Sequence, residues 1–189
     1  MIKTIFMVEN LNSLVKENAN ATIVNNTAIP NERNEEAVQE ASTAIEDSLK
    51  TSLSGGNVKE VADLFNGTTD NVTANPVTQK ATGNFIEKLQ SRFGLDVSQA
   101  ANIANNLIPT VLKRLVQKTS DPSDNSFDLQ KIFNEVSGGK TNGLNVQGMM
   151  TKFKGSMDKD GDGDVDVQDL KAFFAGSGGV VDKIKGLFK

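Results

Sequence analysis

Apolar residues recur along this chain at spacings of three and four, the period of a helix with one buried face. Val8, Leu11, Leu14 and Val15 make the first such stripe. Pro30 and Asn31 open a second helix, in which Ala37, Ala41, Ala44, Ile45 and Leu49 share a face until Gly55 and Gly56 stop it. Asn57 stands where it would cap a short helix carrying Val58, Val61, Leu64 and Phe65, and the polar stretch 67–75 reads as a loop. A helix is expected over 76–93, with Val77, Ala81, Phe85 and Leu89 inward and Gly94 as its stop. Asp96 and Gln99 have the spacing of a capping box. The long helix after them carries Ala100, Ile103, Ala104, Leu107, Val111 and Leu115, and Pro109 inside it should kink or split it. Residues 120–126 form a second polar loop, and a short helix with Leu129, Ile132, Phe133 and Val136 then ends at Gly138 and Gly139. From Asn145 the pattern is helix, Asp-rich loop, helix, and the glycines of 176–179 set off a last short helix over 180–189. No useful run alternates with period two, so the expectation is an all-α fold. Its parts are a bundle-like helical domain at 1–140, a helix-loop-helix module at 145–175 and an amphipathic helix at 179–189. Met7 offers a second start position, which would make residues 1–6 an upstream extension.

Composition removes several kinds of chemistry. The 189 residues include no Cys, His, Trp or Tyr. Thiol chemistry, disulfides, Cys/His zinc sites and Ser-His or Cys-His catalysis are therefore excluded. Base stacking would rest on 10 Phe alone, and no basic stripe accompanies them, so no nucleic-acid partner is expected. The formal charge is −4, and the six Asp and one Lys between residues 158 and 169 carry −5 of it, so the rest of the chain sums to +1. The acidity belongs to one loop. No apolar run approaches the roughly 20 residues that cross a bilayer, and the N-terminus turns polar at Glu9 and Asn10, too soon for a secretory core. Cytoplasmic residence is the default expectation.

That loop, DKDGDGDVDVQD, carries the one clear chemical signal. Calcium is a hard cation that takes six to eight oxygens, and a twelve-residue loop supplies them from positions 1, 3, 5, 7, 9 and 12, with Gly at 6 for a sharp turn. Asp158, Asp160 and Asp162 fill 1, 3 and 5, Gly163 fills 6, the main-chain carbonyl of Asp164 serves at 7, Asp166 stands at 9 and Asp169 at 12. Five Asp within nine residues repel one another unless a divalent ion sits among them. Val165 stands at the apolar position 8. Met149, Met150, Phe153 and Met157 precede the loop, and Leu170, Phe173 and Phe174 follow it. The stretch 149–174 resembles the EF-hand family, and with Asp at its last position it resembles dockerin-type calcium loops equally well. A second good loop is absent, which speaks against the paired architecture of dockerins. Asp169 is one methylene shorter than the Glu of the EF-hand pattern, which lowers the expected affinity for calcium and the discrimination against magnesium.

EF-hands usually pair, and with Phe127 as position 8 the segment SDPSDNSFDLQK (120–131) aligns as a degenerate partner that holds no ion, its ends being Ser120 and Lys131. The alternative is an ordinary interhelical loop with Asp or Ser capping the next helix. Further back, FGLDVSQAANIANNLIPTVLKRLV resembles the YidB-like family of uncharacterised bacterial helical proteins, through Gly94, Leu95, Gln99, Ala100, Leu107, Pro109, Val111 and Leu112. The resemblance covers about residues 76–139. It implies an all-α fold and a bacterial source, and no activity. The terminal helix sets Val180, Val181, Ile184, Leu187 and Phe188 against Lys183, Lys185 and Lys189, but ten residues give only weak membrane attachment.

The expectation is thus a non-enzymatic calcium-binding helical protein with one structural ion. The alternative is a bacterial interaction or scaffold protein, bound to another protein, whose acidic loop is incidental or takes magnesium weakly.

Overall fold

The computed structural model describes residues 5–55, 57–66, 71–121, 123–124, 126–139, 141, 143, 145–146 and 148. Among them six α-helices account for most of the chain: α1 (Ile5–Asn18), α2 (Asn34–Ser54), α3 (Val58–Asn66), α4 (Pro76–Phe93), α5 (Val97–Ser120) and α6 (Leu129–Val136). No described residue lies in a strand, and the fold is all-α over the described chain.

Local chemistry sets most of the boundaries. Asn75 caps α4 by accepting from the Val77 amide at 2.9 Å, and Pro76 follows at the first helical position, where its missing N–H costs nothing. Gly94 ends α4 in the left-handed region (φ 70°), and the amides of Gly94 and Leu95 close onto the carbonyls of Gln90 and Leu89. The capping box forms: Asp96 Oδ1 accepts from the Gln99 amide at 2.8 Å, and Gln99 Oε1 accepts from the Asp96 amide at 3.3 Å. Asp128 caps α6, its Oδ1 accepting from the Lys131 amide at 2.8 Å.

Two elements differ in form from the expectation. The helix begun at Pro30 opens with a 3-10 turn, Asn31–Arg33, before α2 proper starts at Asn34. More consequentially, α5 is not split by Pro109. Proline removes one donor, here the one that would reach the carbonyl of Asn105, and Asn105 is an exposed residue. Ile108, Pro109, Val111 and Leu112 are all buried, so packing on both sides of the proline holds the helix continuous. The spacing also gave no sign of the single π-helical turn Asn20–Val24, which seats Ile23 in the core.

One apolar cluster runs from Leu11 to Val146. α4 lies against both α2 and α5, and its Phe85 and Leu89 are fully buried. α1 covers α2 and α5, α3 sits against α2, α4 and α5, and α6 against α2 and α1. A polar ladder shows that α2 and α4 run antiparallel: Glu40 pairs with Arg92 and Lys88, Ser48 accepts from Asn84, and Ser52 accepts from Lys80. The partner numbers fall as the α2 numbers rise. Ala37, Ala41 and Ala44 on the same helix are small enough for close approach, and Ser42 and Ser48 satisfy their buried hydroxyls on the carbonyls four residues back.

Candidate functional site

All six candidate ligands, Asp158, Asp160, Asp162, Asp164, Asp166 and Asp169, lie outside the described residues, as do the flanking apolar positions 149–157 and 170–174 and the terminal segment 180–189. Their donor chemistry is still specific. Carboxylates and one main-chain carbonyl are hard oxygen donors, and six such positions meet the lower bound of calcium's coordination.

The structure does describe the chain that leads to the loop. Gly138, Gly139 and Gly143 have φ of 65°, 88° and 82°, a region that L side chains rarely adopt. These turns bring the chain back alongside α6. Thr141 donates its amide to Ser137 Oγ at 3.2 Å, and its carbonyl accepts from Gln130 Nε2 at 3.2 Å. Val146 then donates its amide to Gln130 Oε1 at 3.0 Å and buries its side chain in the core, 2% exposed. Asn145 caps the next helical residues, accepting from the Gly148 amide at 2.7 Å. A Cβ on Gly148 would stand 2.9 Å from Asn145 Nδ2, so a larger residue there would make the Asn145 side chain shift.

The segment 120–131 is built differently from an ion loop. Asp121 Oδ1 accepts from the amide (2.9 Å) and hydroxyl (2.6 Å) of Ser123. Asp124 Oδ1 accepts in the same way from the amide and hydroxyl of Ser126, while its Oδ2 holds Lys118 Nζ at 3.0 Å. The Ser126 hydroxyl, its amide and Lys118 together hold the Asp124 carboxyl down at about 2, and the Ser123 hydroxyl and amide lower Asp121. Each carboxylate is taken up by its own turn, and Asp128 is the cap of α6. Phe127 is buried in the core. The described part of this segment is an interhelical loop with an Asp cap. Among the described residues, no group of three acidic side chains converges on a cation site.

Two polar clusters escaped the sequence reading. Glu40 is 6% exposed yet ionised partners reach it from α4, Arg92 and Lys88, the latter at 3.4 Å. Its position between Ala37 and Ala44, on the apolar face of α2, was the available signal. Ser52, fully buried, donates to Glu60 Oε2 at 3.0 Å and accepts from Lys80 Nζ, which also pairs with Glu60 at 2.7 Å. A serine beside a lysine suggests nucleophile and base, but here Lys80 is spent on Glu60 and the hydroxyl is sealed from solvent. The trio joins α2, α3 and α4. A small cleft lined by Asn10, Ser126, Phe127, Asp128 and Ile132 has room for about one water molecule.

No helix of the described chain is long and apolar enough to cross a membrane. No family model, no curated protein and no solved structure matches this chain.

Proposed function

We propose that this chain is a calcium-binding helical protein without catalysis, in which one ion held by the loop 158–169 acts as a structural staple. One observation carries the reading: oxygen donors stand at positions 1, 3, 5, 7, 9 and 12 of a twelve-residue loop with Gly163 at 6. Asp158, Asp160, Asp162 and Asp169 bind through carboxylates, Asp164 through its carbonyl and Asp166 through water. The staple is preferred to a switch that opens towards a partner because a single site gives little cooperativity. Asp169, being short, also pulls weakly on the exiting helix. The anchoring of Val146 to the bundle supports a structural role, since an ion that orders the module then adds to a core that already holds Val146.

The test is calorimetric titration of the metal-stripped full chain with calcium, with and without millimolar magnesium, beside thermal melts. Micromolar binding that survives magnesium and raises the melting temperature is expected, and Asp158→Ala should bind none. Binding only at millimolar ion overturns the reading and leaves the interaction or scaffold role, with magnesium at most a weak occupant.

A further inference from the structure

We infer that Gln130 is the positioning residue that couples the calcium module to the helical bundle; the inference rests on the calcium reading proposed above. A glutamine carries one acceptor and one two-proton donor on the same amide. Gln130 spends both on the segment between α6 and the acidic loop: Nε2 donates to the Thr141 carbonyl at 3.2 Å, and Oε1 accepts from the Val146 amide at 3.0 Å. These partners lie eleven and sixteen residues further along the chain. The left-handed glycines Gly138, Gly139 and Gly143 make that return path available.

The bond to Val146 has a second consequence. The first amides of a helix have no intrahelical acceptor. Asn145 supplies one for Gly148, and Gln130 supplies one for Val146, so a side chain of α6 satisfies the first helical amide on the approach to the loop. Val146 fixes the same point by burial in the shared core. An ion that orders residues 158–169 therefore acts on a segment that is bonded to α6 at Val146, twelve residues before Asp158. Thermodynamic linkage makes the effect reciprocal: calcium stabilises the bundle, and the formed clamp favours calcium binding.

The experiment is hydrogen exchange of the full chain, with and without calcium, read at the amides of α6, beside calorimetric titration. With calcium at about 100 times its Kd, full linkage slows the globally exchanging α6 amides by about 100-fold. In Gln130→Ala the loop still binds calcium, but this calcium-dependent slowing falls by about tenfold, the factor carried by the lost hydrogen bonds. Gln130→Glu keeps the acceptor for Val146 and loses the donor for Thr141, so it should recover part of the slowing. A purely structural role would lower protection equally with and without calcium, and an unchanged calcium increment in Gln130→Ala overturns the inference. Failure of the calcium reading shows separately, as a wild-type chain that binds no calcium, and it removes the coupling with it. Without calcium, faster exchange of the Val146 amide in Gln130→Ala still reads the clamp itself.

Discussion

The ion cluster across α2 and α4 makes an ordering of mutants that mere contact counting would reverse. Glu40 is buried, whereas the side chains of Arg92 and Lys88 are 51% and 43% exposed. Arg92→Met strips one cation from a carboxylate whose side chain is only 8% exposed. Breaking a fully buried pair from one side costs about 3–5 kcal/mol. Here Lys88 remains at 3.4 Å and Arg92 was half solvated, so screening reduces the expected loss to about 1–2 kcal/mol. Glu40→Leu removes the buried charge instead and leaves two cations that can reach solvent. It forfeits two partly exposed pairs, about 0.2–1 kcal/mol each, but also removes a desolvation penalty and adds apolar contact, so the net cost is about 0–1 kcal/mol. The assay is urea unfolding of the full chain followed by far-UV circular dichroism, because there is no Trp or Tyr to report by fluorescence. For a chain of this size each kcal/mol appears as about 2–4 °C in a melt. The double variant Arg92→Met with Glu40→Leu should cost less than the sum of the single changes. A Glu40→Leu protein that is less stable than Arg92→Met would refute the reasoning, because it would mean that the pair, rather than the stranded charge, governs the energetics.

Phe85 lies fully buried on the central helix, and Phe85→Ala should lower the urea midpoint by the equivalent of about 3–5 kcal/mol, enough to unfold a marginal domain. The carboxyl of Asp124 is lowered from 3.8 to about 2, so its contribution is complete above pH 3.8 and lost as pH falls towards 2; the stability difference between wild type and Asp124→Asn should vanish over that window in acid melts. Glu46 has the opposite shift, raised by burial first, then by Asp47 and, among the remaining influences, Glu135; Glu46→Gln should therefore raise the melting temperature at pH 7 and leave it unchanged at pH 3, where the carboxyl is already neutral. A calcium titration in weakly buffered solution near pH 5 should release protons, since clustered carboxylates without a cation hold protons above their ordinary range, and the release should fade at pH 7.

What could be read from the sequence was what neighbouring residues decide among themselves. Pro76, Gly94, and Asp96 with Gln99 set helix ends through groups within six residues of one another, and these ends formed as expected, with Asn75 added as the cap before Pro76. The inward stripes of α2, α4 and α5 were legible for the same reason, since a 3.6-residue period needs no knowledge of the partner helix. Pro109 does not split α5 because its local cost is real but small beside the burial of Ile108, Val111 and Leu112 around it. The Glu40 cluster was not legible because its cations come from 48 and 52 residues away, and no spacing rule reaches that far. Gln130 was hidden in the same way: its partners depend on three glycine turns that fold the chain back along α6.

The two aspartate-rich stretches differ in the spacing of their acidic residues and in what stands between them. Asp121 and Asp124 each have serine two residues on, and each carboxylate accepts both the amide and the hydroxyl of that serine. Such a carboxylate is satisfied by its own turn, and Lys118 neutralises one of the two. The residues two beyond Asp158, Asp160, Asp162 and Asp164 are Asp160, Asp162, Asp164 and Asp166. A turn that closed in the same way there would set carboxylate against carboxylate, with no hydroxyl to donate and Lys159 as the one cation in the stretch. Alternation of Asp with Lys, Gly and Val therefore removes the local route by which an acidic turn satisfies itself. In the proposed reading, the charge that this row lacks from its own sequence is supplied by a hard divalent ion, whose demand for six or more oxygens the same alternation meets.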